Sequence, residues 1–451
     1  MIQQNAPSEQ VYSRFSQIFS VLKVSQFLRQ AGIRKSCGFS CFVVFQYLFQ
    51  LVFQGQNLYR ILEGRRAENM PGKDVYYRFL NEPRFNWRRF YQLLVQKVVG
   101  QFETLTSPKR VRVFVIDDSP VSRDRSKKVE LLARVYDHVS HRFIRGFQLL
   151  TLGWSDGFSF VPLDFSLMSS AKKENRYNEV RDNLDKRFCG YARRKEALLH
   201  KPEVVTQMVD RALQAGMVAD YILMDSWFTY MPLVQSMLEK GMHVIGRIKD
   251  TKQKYIYQEK MLNLGELYTA LPKQRDKRQI LGELRVKSKL GVPLKIVFVR
   301  NRNKSKEWIA ILTTDITLEA DETVRIYGMR WSIEPFHKTI KSLLKLENEF
   351  EGRSYDMMIS HTTIVFSRYL ILEWERRNNN DDRTFGGIFF EYCDEVKDMD
   401  LMTALRQLMV FVFALMSKPD DQDGVIRQVL DWIAQLPNYI RASLPLSLCE
   451  S

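Results

Sequence analysis

Val324–Leu346 reads VRIYGMRWSIEPFHKTIKSLLKL. Within it Tyr327, Arg330, Glu334 and Lys341 are separated by 3, 4 and 7 residues (330−327, 334−330, 341−334). A helix turns by about 100° per residue, so the four fall within an arc of roughly 60°. Another strip carries Ile326, Ile333, Ile340, Leu343 and Leu344. The spacing predicts a helix that buries an apolar strip and presents an aromatic ring, a guanidinium, a carboxylate and an ammonium together. A lone carboxylate among cations is a surface ion pair and is worth little. What gives Glu334 another use is a pair of carboxylates upstream.

The first lies in Val111–Pro120, VRVFVIDDSP, and the second in Tyr221–Phe228, YILMDSWF. Each is a short apolar run ending in Asp, so each predicts a buried strand that delivers a carboxylate at its C-terminal end. With 111–117 as the first strand, Val113, Val115, Asp117 and Ser119 point one way and Phe114, Ile116 and Asp118 the other. Either Asp117 or Asp118 can therefore be the delivered ligand. Two strand-end aspartates and a helical glutamate are what a nuclease needs to hold two divalent cations for in-line phosphoryl transfer. Mg²⁺ suits such a set because it takes few carboxylates and keeps water and phosphate ligands.

The arrangement Tyr327-Gly-Met-Arg330-Trp-Ser-Ile-Glu334-Pro-Phe-His-Lys-Thr-Ile-Lys341 resembles, without a gap, the signature of the insertion-sequence-4 family of bacterial DDE transposases. Asp117-Asp118-Ser119 and Asp225-Ser226-Trp227-Phe228 resemble that family's first and second aspartate motifs, although Asp118 stands where a small residue is usual. The three blocks occur in order across Arg110–Leu346. The resemblance favours Asp117 over Asp118. It implies Asp117, Asp225 and Glu334 as catalytic metal ligands, two Mg²⁺ ions with Mn²⁺ as a substitute, and Tyr327, Arg330 and Lys341 as contacts to the DNA end. It further implies double-stranded DNA as partner, both as terminal inverted repeats and as target, a homodimer on paired ends, and a cytoplasmic, nucleoid-associated bacterial protein. Two rivals keep the same motifs: a nuclease without strand transfer, and a non-catalytic DNA-binding protein derived from a transposase.

The composition is compatible with this. Lys and Arg outnumber Asp and Glu by 68 − 52 = 16 at a pI near 9.5, which predicts attraction to polyanions. Five cysteines, Cys37, Cys41, Cys189, Cys393 and Cys449, complete no zinc pattern and predict reduced thiols. No secretory signal is expected from MIQQNAPSEQ, and Phe39–Phe53 is too short and too polar, with Gln46 and Gln50, for a membrane span. No GxxxxGK[ST] loop is present, so ATP use is not expected. The histidines form no spaced metal set, and His337 is expected as a neighbour of Glu334 rather than a ligand.

Taken in order, periodicity predicts helices over 8–62, Asp74–Phe79 and Trp87–Val99, with a basic turn at Arg60–Arg66. Strands follow at Phe143–Trp154 and Phe158–Phe165, joined by Ser155-Asp156-Gly157, a hairpin signal. Ala171–Lys195 holds nine Lys or Arg and four Asp or Glu among aromatics; it is either a DNA-contacting surface or a solvated excursion. A helix at Pro202–Ala215, a strand at Tyr221–Met224, a helix at Leu233–Lys240 capped by Gly241, and a strand at His243–Ile248 complete the order. Further strands, Lys295–Val299 and Trp308–Thr313, flank the basic loop Arg300–Lys306; Trp308 is a candidate base-stacking residue or a buried strand tryptophan. Helices are expected at Ser360–Arg377, Phe385–Val396, Leu401–Met416 and Val425–Leu436, with a polar linker at Arg376–Arg383.

The fold class expected is α/β, a ribonuclease-H-like mixed sheet flanked by helices, with a β-rich insertion and helical N- and C-terminal regions. The boundaries are 1–105 (helical, for DNA ends or dimerisation), 106–250 (catalytic core, first part), 251–322 (insertion), 323–350 (glutamate helix) and 351–451 (helical C-terminal region).

Overall fold

The structure, a computed structural model, describes residues 14–55, 57–63, 71–181, 184–271, 279–301, 304, 307–349, 352–379, 383–417 and 422–435. Residues 8–13, parts of the basic stretches at 60–66 and 300–306, part of the linker at 376–383, Leu436 and Cys449 lie outside them.

The chain opens with helices α1 (Arg14–Val21), α2 (Val24–Gln30), α3 (Cys41–Gln50), α4 (Leu58–Glu63), α5 (Lys73–Leu80) and α6 (Trp87–Thr104). Then come β1 (Val113–Ser122), β2 (Ala133–Asp137), β3 (Arg142–Ser155), β4 (Phe160–Met168), α7 (Cys189–Glu196), α8 (Lys201–Gln214), β5 (Tyr221–Met224), α9 (Met231–Glu239) and β6 (His243–Ile248). The next stretch supplies β7 (Tyr255–Tyr257), β8 (Lys260–Leu262), α10 (Leu264–Thr269), β9 (Ile280–Lys287), β10 (Pro293–Arg300) and β11 (Trp308–Thr313). The last helices are α11 (Ala320–Gly328), α12 (Ile333–Ser342), α13 (Tyr355–Asn378), α14 (Phe385–Ser417) and α15 (Gln422–Gln435), with a 3₁₀ turn, Met329–Ser332, between α11 and α12.

The strands form one mixed sheet in the order β2-β3-β1-β5-β6-β11-β10-β9-β7-β8, with β4 also paired to β3. β1, β5 and β6 run parallel, and β3 is antiparallel to β1. That order is ribonuclease-H-like, and helices flank the sheet. Both faces of β1 are covered, so Val113, Phe114, Val115 and Ile116 are all buried. The hairpin turn expected at Ser155-Asp156-Gly157 is present, with Gly157 at φ 83°, and Gly241 ends α9 at φ 76°.

Five features differ from the sequence expectation. First, β1 does not stop at Asp117. Pairing with β5 ends at Ile116↔Met224, but β3 continues to hydrogen-bond the other edge from Asp117↔Thr151 to Ser122↔Gly146. Asp117 is thus mid-strand, at the point where β5 leaves. Second, the helix expected across Val324–Leu346 breaks into α11, the 3₁₀ turn and α12. Gly328 ends α11, and the 3₁₀ turn tightens to about 3 residues per turn, so the faces before and after it are no longer in simple helical phase. Third, β2 and β7–β9 are strands that the sequence reading does not include, although Glu283–Lys287 in β9 alternates between exposed and buried residues. Fourth, β9–β11 extend the main sheet directly from β6, over an apolar cluster of their own around Leu264, Leu267, Ile296 and Phe298. Fifth, Phe385–Ser417 is one helix rather than two.

Helix α13 is buried almost all round. Its Ser360, Thr362, Thr363 and Ser367 hydroxyls donate back to carbonyls of the preceding turn, and Ser360 also reaches the Leu80 carbonyl at the end of α5. The helix packs on α6, β4, α3 and α5, and one continuous core runs from Phe15 to Cys393. Helices from α1 to the start of α14 therefore share one interior with the central strands.

The tightest approach in the sheet is at Gly146, where β3 passes between β1 and β2. A Cβ there would lie 2.0 Å from the Val121 carbonyl oxygen, a backbone atom that cannot swing away. Gly146→Ala is expected to lower stability by about 2–3 kcal/mol. An unchanged denaturant midpoint would contradict this.

Candidate active site

The register of the parallel strands builds the site. Ile116, Met224 and Gly246 form one row across β1, β5 and β6. One residue further along each chain stand Asp117, Asp225 and Arg247. Two carboxylates and a guanidinium thus share the end of the parallel strands, where ligands gather in open α/β sheets.

Asp117 is largely buried, its side chain 18% exposed. Its Oδ1 accepts the Asp118 backbone N–H (2.9 Å) and its Oδ2 lies 3.4 Å from Arg330 Nη1. Burial raises its pKa to about 7; Arg330 opposes the rise, and Asp225 and Asp118 add to it. Asp225 follows β5 and caps its own turn: Oδ1 accepts the N–H groups of Trp227 (2.9 Å) and Phe228 (3.1 Å), and Thr229 Oγ1 donates to its carbonyl (2.6 Å). That turn holds the carboxylate in place and aims its other oxygen elsewhere.

Glu334 opens α12 and is more exposed, at 44% of its side chain. Its Oε1 accepts from Arg330 Nη2 at 3.1 Å. Arg330 therefore joins the first carboxylate to the third. Tyr327 lies near Arg330, and burial pushes its hydroxyl pKa up, with Arg330 opposing the rise and Asp225 and Arg247 nearby. Lys341 lies further along the same face of β1; its Nζ donates to Ser119 Oγ (2.7 Å) and the Pro120 carbonyl (2.6 Å), and burial lowers its pKa. The face shared by Asp117 and Ser119 is thus covered by the 3₁₀ turn and α12.

Asp118 points the other way and pairs with Lys201 at the start of α8. The Lys201 ammonium sits 4.8 Å from the centre of the Trp227 ring. Asp117 and Asp118 are thus separated by strand parity, with Asp117 on the side of Asp225, Arg330 and Glu334. His337 is buried against Phe336, and burial, with Lys341 and Arg330 adding to it, lowers its pKa to about 3.

Among the described residues no three His, Cys, Asp or Glu side chains form a ready-made ligand cluster. Two observations nonetheless fit a hard cation here: adjacent oxygen donors at a strand end, and a buried Asp117 whose charge is under-compensated by the one guanidinium that reaches it. Arg330 stands where positive charge is called for.

Other sequence candidates resolve differently. In the basic stretch at 171–195, Arg193 and Arg194 are buried. Arg194 pairs with Glu130 and Asp356 at 2.7 Å each, and Arg193 donates to the Phe165 carbonyl. That end of the stretch is interior ion pairing; Lys172, Lys173, Lys186 and Arg187 stay exposed. Trp308 is packed against Tyr268 (5.1 Å, stacked) and Phe298. The exposed tryptophans are Trp227 and Trp331, each next to the site, and Arg330 lies 5.4 Å from the Trp331 ring. Arg247 and Lys201 were missed, because only strand register and the approach of α8 bring them here. No helix among the described residues is long and apolar enough to cross a membrane.

Comparison with known proteins agrees with this geometry at a coarse level. Residues 51–264 match a family model described as DDE superfamily endonuclease, and residues 188–354 match one described as transposase DDE domain. The first match contains Asp117 and Asp225, and the second Asp225 and Glu334. Both descriptions support a DDE-type transposase or endonuclease; neither reaches the insertion-sequence-4 subdivision. No curated protein matches the chain.

Proposed function

We propose that this chain is the transposase of an insertion sequence, a DDE enzyme that cuts double-stranded DNA at terminal inverted repeats and joins the freed ends to target DNA. The observation that carries the reading is the row of Asp117 and Asp225 on neighbouring parallel strands, tied through Arg330 to Glu334. Asp117, Asp225 and Glu334 would hold two Mg²⁺ ions, or Mn²⁺ in their place. Bound there, the ions supply Lewis-acid polarisation of the scissile phosphate and a more acidic attacking water or 3′-hydroxyl.

The remaining roles belong to the chain itself. The Asp225 turn keeps its carboxylate oriented before substrate arrives. Arg330, with fork geometry and a Tyr327 hydroxyl beside it, suits bidentate contact to a phosphate. Arg247 extends the same positive wall along the sheet. Lys341, held on β1 by Ser119 and Pro120, is placed to meet backbone phosphate further along the strand. Two ends must be brought together for transposition, so a homodimer on paired ends is part of the proposal, as is action on DNA in the bacterial cytoplasm.

The test is excision from a donor plasmid carrying the repeats that flank the gene, in Mg²⁺ and in EDTA, for the parent and Glu334→Gln. Metal-dependent excision and joined product are expected from the parent. A loss of about a thousandfold or more is expected in the variant, with end binding retained. Equal activity in both would remove Glu334 from the reaction. Cleavage without joined product would reduce the reading to a nuclease.

A further inference from the structure

Helix α8 packs on β3 and β4, with Val204, Val205, Met208 and Val209 buried. Its first residue is Lys201. An ammonium there meets the positive end of the helix dipole, so the position by itself disfavours it. Asp118 offsets the cost. Lys201 Nζ pairs with Asp118 Oδ2, and with 26% and 19% of the two side chains exposed the pair is not a fully solvated one. The same ammonium stands 4.8 Å from the centre of the Trp227 ring. Trp227 is half exposed; its ring meets Phe228 edge-on at 4.7 Å and the lysine caps it. It also belongs to the turn that carries Asp225, whose Oδ1 accepts the Trp227 N–H. A chain of contacts therefore runs from the residue after Asp117, through Lys201, to the residue two beyond Asp225.

That chain spans a gap in the backbone. The β1–β5 ladder ends at Ile116↔Met224, one residue short of both aspartates. Arg330 ties Asp117 to Glu334 beyond that point, and the corresponding tie toward Asp225 is the one through Lys201. We propose that Lys201 is a positioning residue of the carboxylate site: held by Asp118 and seated on Trp227, it sets the spacing of Asp117 and Asp225, and through that spacing the affinity of the site for divalent metal. The inference rests on the metal-dependent reading above and adds to it a residue that acts from the opposite face of β1. Mg²⁺ tolerates little departure from octahedral geometry, so a small widening between two of its ligands costs affinity. Loss of a group that orients metal ligands from outside typically weakens binding by about 10–100-fold.

The test is Mn²⁺ binding to the full chain without DNA, followed by the electron paramagnetic resonance of the free ion. Removing Lys201 alone would leave Asp118 uncompensated beside Asp117, and that charge would attract the cation. Both charges are therefore removed together, in Asp118→Asn with Lys201→Met. The dissociation constant of this double variant is expected to rise about tenfold. Lys201→Arg keeps the ion pair and a cation over Trp227, and is expected to stay close to the parent. In DNA cleavage by the double variant, the Mg²⁺ concentration for half-maximal rate should rise by a similar factor, with a smaller change at saturating Mg²⁺. Each variant is assayed well below its urea midpoint, so that lost stability alone moves the midpoint and not the affinity. An unchanged Mn²⁺ dissociation constant in the double variant overturns the inference; if affinity for a terminal-repeat duplex in EDTA falls instead, Lys201 is a phosphate contact. A loss in Lys201→Arg equal to that in the double variant overturns it as well, because the pair would then not be what matters. Failure of the underlying reading looks different. If Asp225→Asn and Glu334→Gln leave Mn²⁺ binding as in the parent, the metal site itself falls, and this inference with it.

Discussion

Asp117→Asn is expected to abolish metal-dependent DNA cleavage, by about a thousandfold or more, and at the same time to stabilise the metal-free protein at alkaline pH. The two effects have one cause. Asp117 is buried mid-strand with Asp225 and Asp118 nearby, and a single guanidinium, shared with Glu334, faces it. Its pKa rises from an ordinary 3.8 to about 7. Below about pH 3 the carboxyl is protonated in both folded and unfolded chains, and it costs the fold nothing. Between about pH 4 and 7 the unfolded chain releases the proton while the folded chain keeps it, so stability is lost as pH rises. Above 7 the folded protein carries the buried charge in full. Asparagine carries none at any pH. The gain from Asp117→Asn should therefore be near zero at pH 3, grow through neutrality and level off near pH 8, on the order of 4 kcal/mol. Denaturant melts in EDTA at three pH values check this. A pH-independent difference between parent and variant would mean that Asp117 is not an under-compensated buried acid.

The second large effect is structural. Arg368 is wholly buried in α13. Its guanidinium pairs with Glu349 (2.6 and 2.7 Å) and donates to the carbonyls of Leu48 and Phe49 in the last turn of α3 and of Leu344 just after α12. One side chain thus satisfies the open end of an N-terminal helix and ties it to the element that carries Glu334. His361 completes the cluster, with Nε2 3.1 Å from Glu349. Glu349→Ala leaves the arginine charged without its counter-ion, and a loss of about 3–5 kcal/mol is expected. Replacing both members, Glu349→Met with Arg368→Met, removes the charge together with its partner and should recover most of that loss. Urea unfolding of the two variants separates the cases. If the single and double variants unfold at the same midpoint, the stabilising element is the carbonyl contacts rather than the ion pair.

Much of this architecture could be read from local pattern. The strands at Tyr221–Met224, His243–Ile248 and Trp308–Thr313 appear at the boundaries that their apolar runs imply, because a short β-rich run between turn residues has few other uses. Strand parity alone separated Asp117 from Asp118. The 3 and 4 spacing picked out Tyr327, Arg330 and Glu334, which do lie together even though the helix that suggested it is broken at Met329–Ser332. The meeting survives because Arg330 is long enough to reach Asp117 from the 3₁₀ turn while Glu334 starts the next helix.

What the chain alone could not convey depends on partners far away in sequence. β1 extends through Asp117 because β3, 34 residues beyond at the Asp117↔Thr151 pair, keeps bonding its free edge. Arg247 joins the site only because Met224 pairs with Gly246, and no local motif announces that register. Arg193 and Arg194 look like a surface patch in the sequence; tertiary structure buries them because Glu130 and Asp356 arrive from elsewhere to neutralise Arg194, while Arg193 has Glu196 beside it on its own helix. Hydrophobic period and turn chemistry are properties of a few neighbouring residues, so the sequence determined most of the helices, the strands that bear the carboxylates, and the three carboxylates themselves as candidates. Register, burial of charge and the interior that α1 and the start of α14 share with the sheet depend on contacts between distant segments, and only the tertiary structure decided them.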